Sequence, residues 1–217
     1  MAVSVAALLF FMARVFNSPD CSTIRFGVYT GGIYSFLRMT GLATVCLLFG
    51  MPISVVAFFL GIFAMPLIGT SISLAAVAIA VLSASLLGKL SGAQHPSVMS
   101  LQNHLQGKLW FSDMRQASSV NGMRWAFEQV INTPLPLSLF AFYNSATIPH
   151  LSPPALVSGI VLATSVVAVS YTFAGSYIGC AVIDFTAGLP LTKYYIPVIL
   201  SCALLLVSFR LRPRYSA

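Results

Sequence analysis

Five long apolar stretches fill most of this 217-residue chain, and they leave it one kind of solvent. They run over residues 39–63, 67–90, 130–148, 155–183 and 194–209, with almost no ionised side chain inside them. About 20 consecutive apolar residues are enough to cross the hydrocarbon core of a bilayer. Charged residues are 7% of the chain, hydrophobic ones 58%, and mean hydropathy is +0.93. A water-soluble domain of this size needs far more polar surface. The expected fold is therefore all-α, an integral membrane helical bundle of about five transmembrane helices.

The chain divides into four parts on this reading: a surface segment 1–38, a transmembrane hairpin 39–90, a linker 91–127 and a three-helix membrane segment 128–217. The linker is the longest polar stretch and has no alternating strand pattern, so the chain has no room for a separate soluble catalytic domain. The apolar N-terminus has its first arginine at Arg14, after the apolar run, which is the wrong order for a secretory signal. A helix on the membrane surface is expected there. Pro52 is expected to kink the first span, Pro134 and Pro136 to break the start of the third, and 64–66 to form a tight turn.

Net charge is +7, and the basic residues are informative by position. Arg14, Arg25 and Arg38 precede the first span, while Lys89, Lys108, Arg115 and Arg124 fall between the second and third. Both groups share one face if the first two spans form a hairpin. Arg210, Arg212 and Arg214 then fall on the opposite face, against the usual bias. Trp110 and Trp125 in the linker are expected at headgroup level. Cys21, Cys46, Cys180 and Cys202 have no CxxC spacing, so they read as small packing residues without a disulfide framework or metal site.

Ionisable groups in or beside spans are functional candidates, because burying charge in lipid is costly. Arg38, Lys89, Glu128 and Asp184 stand at span ends, and the five-span topology puts them at one face, near Tyr34, Ser35 and Thr40. Interfacial anchoring explains any one of them as well. No histidine falls within a span: His95 and His104 are in the linker, and His150 is in a turn. Phosphate loops, zinc spacings, nucleophile triads and solenoid repeats are all absent from the sequence pattern. No span shows a polar stripe or an inverted repeat, which leaves a channel or carrier with little support.

Two segments carry a family resemblance. Ser18-Pro19, Val28-Tyr29 and then Tyr34-Ser35-Phe36-Leu37-Arg38-Met39-Thr40-Gly41 lead into the first span. Gly179-Cys180-Ala181-Val182-Ile183-Asp184-Phe185, followed by Gly188 and Lys193, closes the fourth, and Arg124-Trp125-Ala126-Phe127-Glu128-Gln129-Val130 opens the third. Together they resemble the larger and smaller membrane anchors of succinate dehydrogenase, respiratory complex II, fused into one chain. The resemblance implies a multi-pass protein of the mitochondrial inner membrane, docking flavoprotein and iron–sulfur subunits beside other membrane subunits and phospholipid, with no nucleic-acid partner. It implies ubiquinone as substrate, with Tyr34, Ser35, Arg38 and Asp184 forming the quinone site. Arg38 would stabilise the reduced quinone oxygen, Ser35 would donate a hydrogen bond, Asp184 would orient Arg38 or relay protons, and Tyr34 would line the pocket. Departures from the family bear on haem b, whose ligand positions fall at Ala84 and Phe173, neither able to hold iron. The family's tyrosine after the acid is Phe185, for which Tyr34 or Tyr177 is the substitute phenol. The chain alone is expected to catalyse nothing. The alternative is a structural accessory subunit of another respiratory complex or of ATP synthase, with no redox site.

Overall fold

A computed structural model describes residues 32–105, 122–132, 135–148 and 150–186, with the single positions 188, 199 and 203. Segment 18–29 and all of 194–209 but positions 199 and 203 lie outside the described residues, as do Trp110, Cys21 and Cys202. Seven helices and no strand are present among the described residues: α1 Gly32–Leu48, α2 Ile53–Phe63, α3 Pro66–Ser91, α4 Pro96–Leu105, α5 Gly122–Asn132, α6 Leu137–Thr147 and α7 Pro153–Thr186. The all-helical expectation holds. Two helices, α3 and α7, are long and apolar enough to cross a membrane.

The first expected span is two helices rather than one kinked helix. Gly50, at φ 85°, closes α1 in a Schellman turn, its N–H donating to Leu47 O and the Met51 N–H to Cys46 O, both at 3.0 Å. Pro52 follows in extended conformation, so α2 starts afresh. The turn after α2 is as tight as expected: Ala64 N–H reaches Leu60 O at 2.8 Å, and Pro66 takes the first position of α3, where no N–H is needed. Helix α3 then runs unbroken to Ser91 and is capped by Gly92, at φ 72°. In the linker, α4 was not foreseen. Its start is stabilised by the Ser97 N–H donating to His95 Nδ1 at 3.3 Å, and Val98 is fully buried beneath it.

The third expected span is also broken, and it doubles back. At the start of α5, within the expected linker, a Cβ on Gly122 would lie 3.0 Å from Leu151 Cδ1 and 3.4 Å from Ala155 Cβ. Leu151 lies four residues beyond the end of α6, so the segment leaves and returns at the same end of the bundle. Each of its helices has 11 residues, about 16 Å of rise. The reversal lies between α5 and α6, and Trp125 of α5 stacks on Phe140 of α6 with ring centroids 5.9 Å apart. The described residues of 122–148 thus form a helical hairpin. Trp125 is 3% exposed, a core residue where α5 folds back against α6 and α7.

Glycine lets these helices cross at backbone contact. In α2 and α7, a side chain at Gly61 would collide with the Thr172 carbonyl, and one at Gly175 with the Phe58 carbonyl. In α3 and α6, a side chain at Gly88 would collide with the Phe142 carbonyl. In a bilayer, which supplies no hydrophobic drive between helices, close van der Waals approach of this kind is what holds helices together.

These contacts fix the direction of α7. A Cβ on Gly69, near the start of α3, would lie 2.6 Å from Thr172 Cγ2. Near the other end of α3, Gly88 meets α6 a few residues before α7 begins. From Gly69 to Gly88, and from Pro153 to Thr172, the rise is about 28 Å in each case. The short turn before Pro153 reaches that far only if α7 runs antiparallel to α3. The linker therefore leaves at the end of the bundle where α7 starts, and Asp184 lies at the opposite end. This corrects the expectation that the linker and Asp184 share a face, which required the third segment to cross.

Candidate functional site: a buried acid and the junction of two broken helices

Helical spacing gathers three of the four expected quinone residues. Tyr34, Ser35 and Arg38 fall within one turn or so of α1, with Tyr34 and Arg38 four residues apart on one face. Tyr34 is 74% exposed, Arg38 is exposed and Ser35 is half-buried. Asp184 is in another environment. It sits in the last turn of α7 and is 1% exposed. A carboxylate in such a place is costly unless it has partners, which is the usual mark of a working group in a membrane protein.

Tyr177 lies two turns before Asp184, and the seven-residue spacing puts both on one face of α7. Tyr177 is buried, whereas Phe185 is 70% exposed. Of the two substitute phenols, Tyr177 shares the buried environment of Asp184, and Tyr34 does not. Ala84 and Phe173, the aligned haem positions, are core residues whose methyl and phenyl groups have no donor atom for iron.

Cys180, on α7, corrects another expectation. It is disulfide-bonded, with its partner outside the described residues, while Cys46 is free. Spacing within the sequence held no sign of it. Among the described residues, no group of three or more His, Cys, Asp or Glu is placed to hold a metal ion. His95 and His104 belong to the α4 region, and His150 is exposed in the turn before α7.

The second notable place was missed by sequence reasoning. Here the break between α1 and α2 meets the break between α5 and α6. A Cβ on Gly50 would lie 3.6 Å from the Pro136 ring, and the Ser138 hydroxyl donates to the Leu48 carbonyl at 3.3 Å. That bond satisfies one of the carbonyls left over at the end of α1. The breaks were visible as prolines, but nothing in a linear pattern says that two breaks some eighty residues apart touch. No family model, no curated protein and no solved structure matches the chain.

Proposed function

We propose that the chain is a multi-pass subunit of the mitochondrial inner membrane that anchors a succinate–ubiquinone oxidoreductase, holding its flavoprotein and iron–sulfur subunits and contributing polar groups to the ubiquinone pocket. The observation that carries the reading is Asp184, almost fully buried in the last turn of a long apolar helix, at the position where the family resemblance puts the quinone-site acid. Tyr177 on the same buried face offers the phenol that Phe185 cannot. On α1, the Arg38 guanidinium carries several donors, which suits it to a reduced quinone oxygen, with Ser35 and Tyr34 beside it. With the linker at the opposite end from Asp184, docking of the soluble subunits is assigned to the Asp184 end, and the smaller-anchor half carries more of the argument than the larger.

The test has two steps. Mild-detergent purification of the tagged chain should bring down flavin and iron–sulfur proteins. In the assembled complex, Arg38→Ala should slow quinone reduction roughly a hundredfold, by loss of one charge-assisted contact worth about 2–4 kcal/mol. Succinate oxidation by a soluble dye should be unchanged. Partners without flavin or iron–sulfur centres, or unchanged quinone kinetics in an assembled Arg38→Ala complex, would leave the accessory-subunit alternative standing.

A further inference from the structure

The anchor role makes no use of a relation between the two halves of the chain, a relation that corrects the expectation of no inverted repeat and with it the low standing of a channel. Residues 52–59 read Pro-Ile-Ser-Val-Val-Ala-Phe-Phe, and residues 136–143 read Pro-Leu-Ser-Leu-Phe-Ala-Phe-Tyr. Proline, serine, alanine and phenylalanine recur in register, and the remaining pairs are alike in character. Each stretch opens a helix of 11 residues, α2 or α6, preceded by an extended proline. Each short helix leads through a turn into a long helix with proline in its first turn, Pro66 in α3 and Pro153 in α7. Counted from those prolines, Gly88 matches Gly175, Ser85 matches Thr172 and Val81 matches Ala168, and all six are buried.

The contacts repeat as well. Gly88 packs against the Phe142 carbonyl and Gly175 against the Phe58 carbonyl, and Phe58 and Phe142 are themselves a matched pair. The short helix of each unit therefore lies on the long helix of the other. Because α3 and α7 run antiparallel, the operation relating the units is a two-fold axis across the bundle, so one unit is upside down relative to the other. Each short helix rises about 16 Å from its turn, half of a hydrocarbon core about 30 Å thick. The two breaks, joined by Ser138 and Leu48, accordingly meet at mid-depth. Inverted repeats with broken helices meeting at the midplane are how membrane transport proteins present one device to both faces. Irregular backbone at that depth persists where it is buried in protein or lines a watery path.

We infer that the chain is an inverted tandem duplication and that it passes small uncharged polar solutes across the membrane at the junction of Gly50 and Pro136. This goes beyond the anchor role and does not depend on it. The solute class follows from the lining chemistry. Neither α2 nor α6 has an ionised residue, and the charges of α3 and α7, Lys89 and Asp184, stand near their ends. Of the helices that lead into the breaks, α1 has Arg38 twelve residues before Gly50, and α5 has Arg124 and Glu128, which pair with each other at 2.8 Å. An ion at mid-depth would lose its water without a counter-charge. The groups on offer are a serine hydroxyl and backbone carbonyls.

The full chain, purified and reconstituted in phosphatidylcholine vesicles, is challenged with glycerol or urea gradients and followed by light scattering. Permeability several-fold above protein-free vesicles is expected, with sodium and chloride fluxes unchanged. Ser138→Ala, which removes the bond between the two breaks, should raise solute flux a few-fold with folding intact by circular dichroism. Ala93→Cys and Gly188→Cys should be labelled by an impermeant thiol reagent from opposite faces, against the parent chain. Labelling of both from one face would overturn the inversion. Folded protein with the permeability of empty vesicles, an ion flux instead, or a Ser138→Ala chain identical to the parent would overturn the assigned activity.

Discussion

If the two halves are equivalent, then Gly88→Ala and Gly175→Ala should cost the fold similar amounts. At Gly88 the added methyl would overlap the Phe142 carbonyl oxygen and sit 3.0 Å from its carbon and 3.2 Å from the Ala146 nitrogen. At Gly175 it would overlap the Phe58 carbonyl oxygen and sit 2.9 Å from its carbon. These are backbone atoms in the middle of packed helices, so the helices themselves must separate. Overpacking of this kind costs about 1–3 kcal/mol. Alanine returns up to about 1 kcal/mol through its better helix propensity. The net expectation is roughly 1–2 kcal/mol of destabilisation for each, a factor of about 5–30 in the folded-to-unfolded ratio. Gly41 is the control: nothing lies within 4 Å of a Cβ there, so Gly41→Ala should be neutral or stabilising. The measurement is reversible unfolding in mixed micelles, followed by far-ultraviolet circular dichroism. Neutral or stabilising effects at Gly88 and Gly175, matching Gly41, would mean that these helices do not cross at backbone contact.

Other expectations concern single residues. Trp125→Ala should destabilise by about 3–5 kcal/mol, as loss of a buried aromatic does, whereas Trp125→Phe should cost far less. The native Trp125 should also be shielded from aqueous quenchers, as a headgroup tryptophan would not be. Cys180 should react with maleimide only after reduction, while Cys46 reacts without it; labelling of Cys180 in the unreduced chain would refute the disulfide. The Ser145 hydroxyl is buried without a hydrogen-bond partner. Ser145→Ala should therefore stabilise the chain by about 1 kcal/mol in the same unfolding assay, and a loss of stability would show that the hydroxyl has a partner.

Hydropathy made some of this fold legible and was blind to the rest for a physical reason. Helix α3 was read nearly to its ends, because its apolar run is bounded by Pro66 at the start and Gly92 at the stop, and both are local signals. The first and third stretches were equally apolar but differ in the backbone. Gly50 takes a left-handed conformation and Pro52 cannot continue the helix, so a span becomes two pieces with no change in mean hydropathy. That the third piece turns back rather than crossing depends on Gly122 meeting Leu151, a tertiary contact without a linear signature. The same turn-back buries Trp125, which a linear pattern leaves in a polar linker. At the site, the clustering of Tyr34, Ser35 and Arg38 followed from helical spacing. The burial of Asp184 and the opposite placement of the linker did not, because both depend on the direction of α7.

The two crossings that define the repeat are related but unequal, and the difference says where the duplication has been allowed to drift. Where α2 meets α7, both helices contribute glycine, Gly61 and Gly175, and each Cβ would strike the other's backbone. Where α3 meets α6, Gly88 has that role, but the position matching Gly61 is Ser145. One glycine already admits the neighbouring carbonyl. The second is needed only where Thr172 crowds both Gly61 and Gly69 at the α2–α3 turn. In the other unit the corresponding turn is longer, carrying Pro149 and His150 before Pro153, which relaxes the demand on position 145. The constraint kept in both halves is thus the approach of a long helix to the short helix of the opposite unit. That approach holds the two breaks together at mid-depth, and for this reason Gly88 and Gly175 persist while the residues around them have diverged.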